Sequence, residues 1–270
     1  MRSPYIIPVL AAALISLSGC DLEDINPGHF TSEFHQSYPL DSSGKVSVES
    51  FNGSIEVSGW DQSTVDIVAT KYGPTQALAD DLDISVDHTA AGVSVRAVRP
   101  SLRHGNQGAK FLLRIPRGAT VERVTTSNGS IRVEQASGPA HLRTSNGSIH
   151  VSRLDGSLDA QTSNSSVNAD LTHARGPVRI ETSNGSIGLT LPADFRDDIR
   201  AHSSNGGITV HLPPGLNARV SARTSNSRIT SDFDLRMQGE IGRNHLDAVM
   251  GNGGALVDLS TSNGSIHLAR

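Results

Sequence analysis

Side chains that could support acid–base chemistry recur at comparable positions in short segments along this chain. They are the carboxylates of Asp159 and Glu181 and the guanidinium groups of Arg143, Arg179 and Arg223. Cleavage of a polysaccharide needs carboxylates close together, often beside an arginine or lysine base or a bound cation. These candidates are mixed in sign and widely spaced, so the pattern favours a solvated surface over a catalytic centre.

Two acidic clusters are denser than the rest of the chain. They contain Asp194, Asp197 and Asp198, and Asp80, Asp81 and Asp83. Calcium loops alternate Asp and Asn with Gly at regular positions, and neither cluster has that pattern. We therefore expect both clusters to be solvated loops, and we expect no metal ion or other cofactor.

The eleven histidines do not form a metal-ligand motif. His141 and His150, and also His202 and His211, are nine residues apart, and the chain has no C-x-x-C, H-E-x-x-H or G-x-S-x-G element. Sugar-binding sites usually present exposed aromatic rings. Trp60 is the single tryptophan of the chain, so the sequence gives little sign of such a site. These residues predict a protein that is not an enzyme, and they do not identify a ligand.

The segments that carry these side chains are copies of one motif, T-S-N-G-S-I. Its asparagine recurs as Asn52, Asn128, Asn146, Asn164, Asn184, Asn205, Asn226 and Asn263. Five of the gaps between copies are 18 to 21 residues, and the long gaps of 76 and 37 residues are close to multiples of the short ones. Self-similarity at this period is typical of stacked repeats, in which each unit buries its apolar face against its neighbours.

Alternation of residue types before each asparagine indicates β-strands. Leu158, Ala160, Thr162 and Asn164 share one parity, which predicts a strand with one buried face. The glycine or small residue that follows predicts a chain reversal. The chain is therefore predicted to be an all-β, parallel β-solenoid with rungs of 18 to 21 residues, right-handed as parallel crossovers usually are.

The threonine and the asparagine of each motif lie on the inward parity in this scheme. A buried amide must be hydrogen-bonded, so the eight asparagines are predicted to form a ladder, as in stacks of identical strands. On this basis Asn146→Ala should cost a few kcal/mol, whereas the outward His141→Ala should cost little.

Composition is consistent with a solenoid interior. Aromatic residues are 4% and hydrophobic residues 36% of the chain, which also has 26 glycines, so burial must come from narrow layers of Val, Ile, Leu, Ala and Thr. The formal net charge is −4 and no basic run is present. Nucleic acid is therefore not an expected partner.

The first nineteen residues are predicted to be an export signal. Arg2 precedes an apolar run from Tyr5 to Leu17 that is too short to span a bilayer. Cys20 is the only cysteine and follows L-S-G, as in bacterial lipoprotein signals. We expect it to be lipidated, which would hold the protein at a membrane surface.

The remaining chain divides into a tether at 20–43 and the solenoid at 44–270. Phe34 and Leu40 are expected to pack over the open end of the solenoid, because such an end is an unpaired edge. Residues 60–110 lack the motif and are either further rungs or an antiparallel capping layer. The 76-residue gap between Asn52 and Asn128 is a multiple of 19 residues, which favours rungs.

Several segments resemble the bacterial "putative adhesin" family. They are F-N-G-S-I-E-V-S-G-W-D at 51–61, F-L-L-R-I-P-R-G-A at 111–119, the T-S-N-G-S-I copies and the closing G-G-A-L-V-D-L-S-T-S-N-G-S-I. The resemblance covers about residues 40–270. It implies a β-solenoid, frequently in exported or membrane-attached proteins, and it carries no catalytic residues over to this chain.

Together these features predict a non-catalytic, lipid-anchored β-solenoid of the bacterial cell envelope. Its role would be an adhesion, scaffold or interaction surface for an envelope protein or glycan. Two alternatives stay open. One is a polysaccharide-cleaving β-helix enzyme that uses Asp197 or Glu181, and the other is an envelope regulatory protein whose solenoid binds a partner sensor.

Overall fold

The computed structural model describes residues 30–98, 105–171, 175–233, 236–237 and 242–270. Over these residues the chain forms 23 β-strands in two sheets and one short helix. The N-terminal elements are β1 (Phe30–Pro39), β2 (Lys45–Glu49), β3 (Ile55–Trp60), β4 (Thr64–Gly73), α1 (Gln76–Asp80), β5 (Ile84–Thr89), β6 (Gly92–Ala97) and β7 (Gly108–Pro116). The middle strands are β8 (Thr120–Thr125), β9 (Ile131–Glu134), β10 (Ala140–Arg143), β11 (Ile149–Ser152), β12 (Leu158–Thr162), β13 (Val167–Asp170), β14 (Val178–Thr182), β15 (Ile187–Thr190), β16 (Ile199–Ser203) and β17 (Ile208–His211). The C-terminal strands are β18 (Ala218–Thr224), β19 (Ile229–Ser231), β20 (Arg236–Met237), β21 (His245–Met250), β22 (Ala255–Thr261) and β23 (Ile266–Ala269).

A rung consists of one strand in each sheet, joined by a Thr-Ser-Asn corner or its variant. Sheet A is ordered β1-β4-β7-β3-β9-β11-β13-β15-β17-β23-β19, and sheet B is ordered β20-β21-β18-β22-β16-β14-β12-β10-β8-β2-β6-β5. Equivalent residues of successive rungs lie in register, as in Leu158 beside Val178 and Val167 beside Ile187. The central strands are parallel, which confirms the predicted all-β solenoid.

The inward residues of the two sheets form one continuous aliphatic core. In the middle rungs, Ile131, Leu142, Ile149 and Leu158 are at most 2% exposed. Each strand alternates these residues with outward polar ones, as the half-buried strand pattern requires. The interior therefore consists of the thin aliphatic layers that the composition predicts.

The spatial order of the rungs differs from their order in the chain. The strand pair β22–β23, which carries Asn263, lies between β16–β17 and β18–β19. The pair β2–β3, which carries Asn52, lies directly beside β8–β9. The interpretation of the 76- and 37-residue gaps as whole numbers of unmarked rungs is therefore wrong. The rungs that carry Asn52 and Asn263 each lie one parallel layer inside the stack, within β6–β7 and β18–β19 respectively.

The segment 60–110 contains both of the structures that the sequence left open. Strands β6 and β7 form one further parallel layer, on β2 and β3 respectively. Beyond it, β5 pairs with β6 and β4 pairs with β7, both antiparallel. The preference for rungs is thus correct for β6 and β7 and wrong for β4 and β5, because the alternating pattern of these strands is the same in a parallel rung and in an antiparallel cap.

Part of the predicted tether belongs to the fold. Residues 30–39 form β1, which pairs antiparallel with β4 and is the outermost strand of sheet A. Phe34 packs against the core and Leu40 is 2% exposed, as expected for residues that cover the end. The export signal at 1–19, Cys20 and the rest of the tether up to residue 29 lie outside the described residues.

Candidate functional site

The threonine of each Thr-Ser-Asn corner is buried and bonded to the neighbouring rung. Thr162 Oγ1 donates to the carbonyl oxygen of Gly147 at 2.8 Å, and Thr182 Oγ1 donates to that of Ser165 at 2.8 Å. The same bond is made by Thr126, Thr144, Ser203, Thr224 and Thr261. These hydroxyls satisfy carbonyl groups that the tight corner would otherwise leave without a partner.

The asparagine side chains form a continuous ladder. Asn164 Nδ2 donates to Asn146 Oδ1 at 2.7 Å, and Asn184 Nδ2 donates to Asn164 Oδ1 at 2.9 Å. The spatial order of the ladder is Asn52, Asn128, Asn146, Asn164, Asn184, Asn205, Asn263 and Asn226. At the Asn52 end, the amide donates instead to the backbone oxygen of Gln107 at 2.9 Å.

The ladder lies outside the core that the two sheets enclose, so the predicted inward position of the asparagines is wrong. All of them are exposed except Asn52, which is half-buried. The physical reason is that the strand ends at the threonine, as β12 does at Thr162. The parity of the strand does not continue through the turn, and the chain directs the next two side chains outward.

The serine between these two residues has a free hydroxyl. In the part of the chain that the structure describes, no hydrogen bond is made by the Oγ atoms of Ser145, Ser163 or Ser183, and all three side chains are exposed. Their backbones do take part in the stack, because Asn164 N donates to Ser145 O at 3.0 Å. These three corners therefore use Thr and Asn for cohesion and present the serine hydroxyl to solvent.

An open groove runs along the solenoid beside these serines, and we call it the corner groove. It has a volume of about 410 Å³ and lies between the serine row and the outward side chains of sheet B, from Thr125 to His202. Its outer wall also contains Arg143, Gln161 and Glu181. At the β8 end it meets a second depression, lined in part by Phe51 and Arg96, that shares Thr125 and Thr126.

A second groove of about 350 Å³ crosses the outer face of sheet A, and we call it the sheet A groove. Its side chains differ from rung to rung and include Arg132, His150, Asn168 and His211. Burial lowers the pKa of His150, and the positive charge of Arg132 lowers it further. The lowered pKa favours the neutral form of His150, in which the ring can both donate and accept a hydrogen bond.

The outward charged residues proposed from the sequence lie on the outer face of sheet B and pair with one another. Asp159 contacts His141 at 3.4 Å and Arg143 at 3.6 Å. Glu181 pairs with Arg179 on the same strand. Further along the sheet, Arg223 lies 3.9 Å from Asp247, whose pKa is lowered by hydrogen bonding to Ser221 and by the nearby His245 and Arg223, against an opposing effect of burial.

The densest acidic cluster connects neighbouring rungs. Asp197 Oδ2 accepts a hydrogen bond from Gly176 N at 2.8 Å, and Asp198 Oδ1 accepts one from Leu256 N at 2.9 Å. Asp194 is exposed. Two of the three carboxylates are therefore occupied by backbone donors, which gives the loop a cohesive role that the solvated-loop interpretation did not include.

The second acidic cluster lies around α1. Asp80 accepts a hydrogen bond from Gln76 Nε2 at 3.0 Å, and hydrogen bonds from Ser32 and Gln76 lower its pKa. Asp81 caps the helix, and its N–H donates to the carbonyl oxygen of Ala77. Asp83 is exposed. Across the described residues, no group of three His, Cys, Asp or Glu side chains could hold a metal ion.

A charged cluster at the N-terminal end was missed by sequence reasoning. Asp66 on β4 is 6% exposed and accepts hydrogen bonds from Arg114 at 2.7 Å and His35 at 2.8 Å. Burial tends to raise the pKa of Asp66, but these partners outweigh it and lower the pKa. The Arg114 guanidinium also lies 4.6 Å from the ring centre of Trp60. This cluster ties β1, β3, β4 and β7 together.

Of the predicted membrane features, the structure addresses only spanning helices. In the described ranges, no helix is long and apolar enough to cross a bilayer. The predicted lipidation site, Cys20, is outside these ranges.

Several solved bacterial structures are similar to this chain. A protein from Bacteroides fragilis described as a putative adhesin has a TM-score of 0.47 and 13% sequence identity, over 87% of this chain and 96% of that one. One from Parabacteroides merdae with the same description has a TM-score of 0.39 and 12% identity, over 91% and 98%. One from Parabacteroides distasonis described as a putative lipid binding protein has a TM-score of 0.39 and 11% identity, also over 91% and 98%.

Comparison of sequences identifies the family. No curated protein matches the chain. The model of the Toastrack DUF4097 family, however, matches residues 37–232, which is most of the chain and includes seven of the eight asparagine corners in full. The resemblance seen in the motifs is thereby confirmed, and the chain belongs to the Toastrack DUF4097 family.

Proposed function

We propose that this protein is a non-catalytic, lipid-anchored component of the bacterial cell envelope, whose solenoid serves as an adhesion, scaffold or interaction surface. The observation that carries the proposal is the construction of its outer faces. Outward side chains stand in register across successive rungs and line two open, shallow grooves. A stack of this kind offers an extended binding surface rather than an enclosed pocket.

The carboxylates support a binding role over the polysaccharide-cleaving alternative. A glycoside-cleaving pair needs one protonated acid and one free carboxylate placed on either side of the bond. Asp197 is occupied by a backbone N–H, and Glu181 and Asp159 are paired with basic side chains on an open sheet face. None of these carboxylates lies in a cleft that would exclude water from a reacting bond.

Anchoring through Cys20 fits the way the chain enters the solenoid. Because β1 is the outermost strand of sheet A, an anchored N-terminus would join the stack at one end. Both sheet faces would then stay accessible along their length. Lipidation at Cys20 is inferred from the L-S-G-C pattern, and more than one acyl chain would make the attachment stable.

A crosslinking capture from intact cells tests this proposal. The full-length protein is compared with Cys20→Ser, after membrane and soluble fractions are separated. We expect the wild type in the membrane fraction, crosslinked to a defined envelope protein or glycan, and the variant in the soluble fraction without that product. If the two chains fractionate alike, anchoring through Cys20 is wrong.

The same material tests the enzymatic alternative. The purified protein is incubated with envelope and matrix polysaccharides, and the products are measured by chromatography. We expect no cleavage. Cleavage that is lost in Asp197→Asn or Glu181→Gln would sink the non-catalytic proposal, and capture of a sensor protein would favour the regulatory role over adhesion.

A further inference from the structure

We infer that the asparagine ladder protects six Asn-Gly pairs from deamidation, and that each of these asparagines becomes a modification site when its ladder bonds open. The inference does not depend on what the outer faces bind. It starts from the sequence of the corners. Six of the eight ladder asparagines are followed directly by glycine, namely Asn52, Asn128, Asn146, Asn184, Asn205 and Asn263. Five of these six are exposed to water.

The Asn-Gly dipeptide deamidates more readily than other asparagine contexts, because glycine has no side chain to obstruct its own backbone nitrogen. That nitrogen attacks Cγ of the asparagine, so that an N–Cγ bond forms while the Cγ–Nδ2 bond breaks. Ammonia leaves and carries away the proton of the backbone nitrogen. Water then opens the resulting succinimide ring at either of its two carbonyl groups, which gives aspartate or isoaspartate.

Packing at these six corners does not admit a larger, slower-reacting residue in place of the glycine. A Cβ atom on Gly147 would collide with the backbone oxygen of Gly129, and one on Gly185 would collide with that of Ser165. The same collision occurs at Gly53, Gly129, Gly206 and Gly264. These corners therefore join the asparagine that the ladder uses to the glycine that makes it reactive.

The side-chain amide of every one of the six asparagines is bonded on both sides. Asn146 Nδ2 donates to Asn128 Oδ1 at 2.7 Å, and Asn146 Oδ1 accepts from Asn164 Nδ2 at 2.7 Å. The amides with an equivalent pair of bonds are those of Asn52, Asn128, Asn184, Asn205 and Asn263. The reactive pairs are thus the ones that the ladder holds completely.

The free end of the ladder has a different sequence. Among the described residues, Asn226 is the one ladder asparagine with a single amide bond, which it donates to Asn263. It is followed by Ser227 and not by glycine. The least restrained amide therefore stands in a slower-reacting context, which is the distribution expected if the ladder bonds protect the others.

The ladder opposes the reaction because attack makes Cγ tetrahedral. The amide nitrogen and oxygen then leave the plane in which their two hydrogen bonds hold them, so both bonds must break first. At three corners the attacking nitrogen is also engaged as a donor, from Gly53 to Asn128 O, from Gly206 to Ser203 Oγ and from Gly264 to Thr261 Oγ1. Each of these bonds adds to the barrier.

One conversion weakens the protection of the next asparagine. An aspartate formed from Asn146 has no side-chain N–H group, so Asn128 Oδ1 loses its donor. The new carboxylate also places a negative charge beside that oxygen. Deamidation therefore advances along the ladder from the first site, and it adds one negative charge at each step.

The test measures deamidation site by site in the full-length protein. The protein is incubated in mildly alkaline buffer, digested with trypsin and analysed by mass spectrometry, and a sample taken before incubation gives the background. Cleavage after arginine places three of the asparagines in peptides that contain no other asparagine, which are Asn128 in 124–132, Asn146 in 144–153 and Asn184 in 180–196. The same chain unfolded in urea gives the rates without the ladder.

We expect all three asparagines to deamidate at least about fivefold more slowly in the folded protein than in urea, because two ladder bonds must open before the attack. Equal rates in the folded and unfolded chains overturn the inference.

Two variants separate the ladder bonds from the general rigidity of the corner. Asn164→Ala removes one partner from Asn146 and one from Asn184, but none from Asn128. We expect Asn146 and Asn184 to deamidate roughly twofold faster than in the wild type, and Asn128 to be unchanged.

The second variant, Asn146→Asp, imitates the product. It removes a partner from Asn128 and none from Asn184. The pattern should therefore be reversed, with Asn128 faster and Asn184 unchanged. Ser163→Ala is the matched control, because it removes an exposed hydroxyl outside the ladder and should leave all three rates unchanged.

The comparison between sites decides the outcome. The inference is overturned if neither variant accelerates the asparagine that lost its partner, or if sites with and without a lost partner accelerate equally. It is also overturned if Ser163→Ala has the same effect as Asn164→Ala.

Discussion

The two edges of the solenoid are closed by different means. At the Thr-Ser-Asn edge, the Ile or Val that begins the next strand follows the buried Thr or Ser by five positions in all eight corners, as Val167 follows Thr162. At the opposite edge, Leu158 follows Ile149 by nine positions, whereas Ile199 follows Ile187 by twelve. All variation in rung length from 18 to 21 residues therefore arises at the second edge.

The chemistry of the edges explains this difference. The Thr-Ser-Asn edge is held by hydrogen bonds of about 2.7 to 3.2 Å from each rung to the next, and hydrogen bonds demand fixed geometry. The opposite edge is filled by Leu154, Leu171, Leu191 and Leu212, all at most 6% exposed. Apolar burial is not directional, so this leucine edge tolerates loops of different length.

Insertions should break the first edge and spare the second. Adding Gly-Ser between Asn146 and Gly147 would displace both the ladder amide and the carbonyl that accepts from Thr162, so we expect loss of cooperative folding. The same insertion between Pro214 and Gly215, at an open turn of the leucine edge, should cost under about 1 kcal/mol, because loop closure depends weakly on length. Urea unfolding followed by circular dichroism measures both, and equal losses would refute the contrast.

Shortening a leucine should cost more than any single polar change. Leu154 is fully buried, and Leu154→Ala would leave a cavity in the tightly stacked edge, with an expected loss of about 3 kcal/mol. Its exposed neighbour provides the control, since Asp155→Ala should change the free energy of unfolding by less than about 0.5 kcal/mol. A loss below about 1 kcal/mol for Leu154→Ala would mean that this edge collapses around the cavity.

The threonine hydroxyl should be the most valuable polar group of a corner. Thr162→Val keeps the shape of the side chain but leaves the carbonyl oxygen of Gly147 without its donor, with an expected cost of about 1 to 2 kcal/mol. Ser163→Ala, one residue later, removes an unbonded hydroxyl and should be neutral within about 0.5 kcal/mol. Thermal and urea unfolding compare the two, and a larger loss for Ser163→Ala would contradict the division of roles in the corner.

The sequence predicts the regular part of this molecule well, because its signals are local. Alternation at Leu158, Ala160 and Thr162 predicts strands, and the 18- to 21-residue period predicts which residues stack. The spatial order of the rungs cannot be predicted from such local signals. Each T-S-N-G-S-I copy can pair with any other, so the motif cannot indicate that Asn263 lies between Asn205 and Asn226.

The candidate site was predictable only in part. The serine is visible in seven of the eight motifs, but its free hydroxyl is recognised only after the bonds of Thr and Asn are known. Asp66, Arg114 and His35 come from strands 31 and 48 residues apart and follow no period, so no pattern links them. The outward position of the asparagine side chains was not predicted, because the alternation of inward and outward side chains holds within a strand and not in the corner that ends it.

The smallest effects should come from the asparagine ladder, and they should differ between its middle and its end. Asn164→Ala breaks two ladder bonds, to Asn146 and from Asn184, whereas Asn226→Ala breaks only the bond to Asn263. Because the freed amides are exposed and water can replace the lost partners, we expect about 1 kcal/mol for Asn164→Ala and about half of that for Asn226→Ala. Urea unfolding of both variants, beside the double variant, checks the ratio. A loss of several kcal/mol for Asn164→Ala would instead support the buried asparagine ladder that was predicted from the sequence alone.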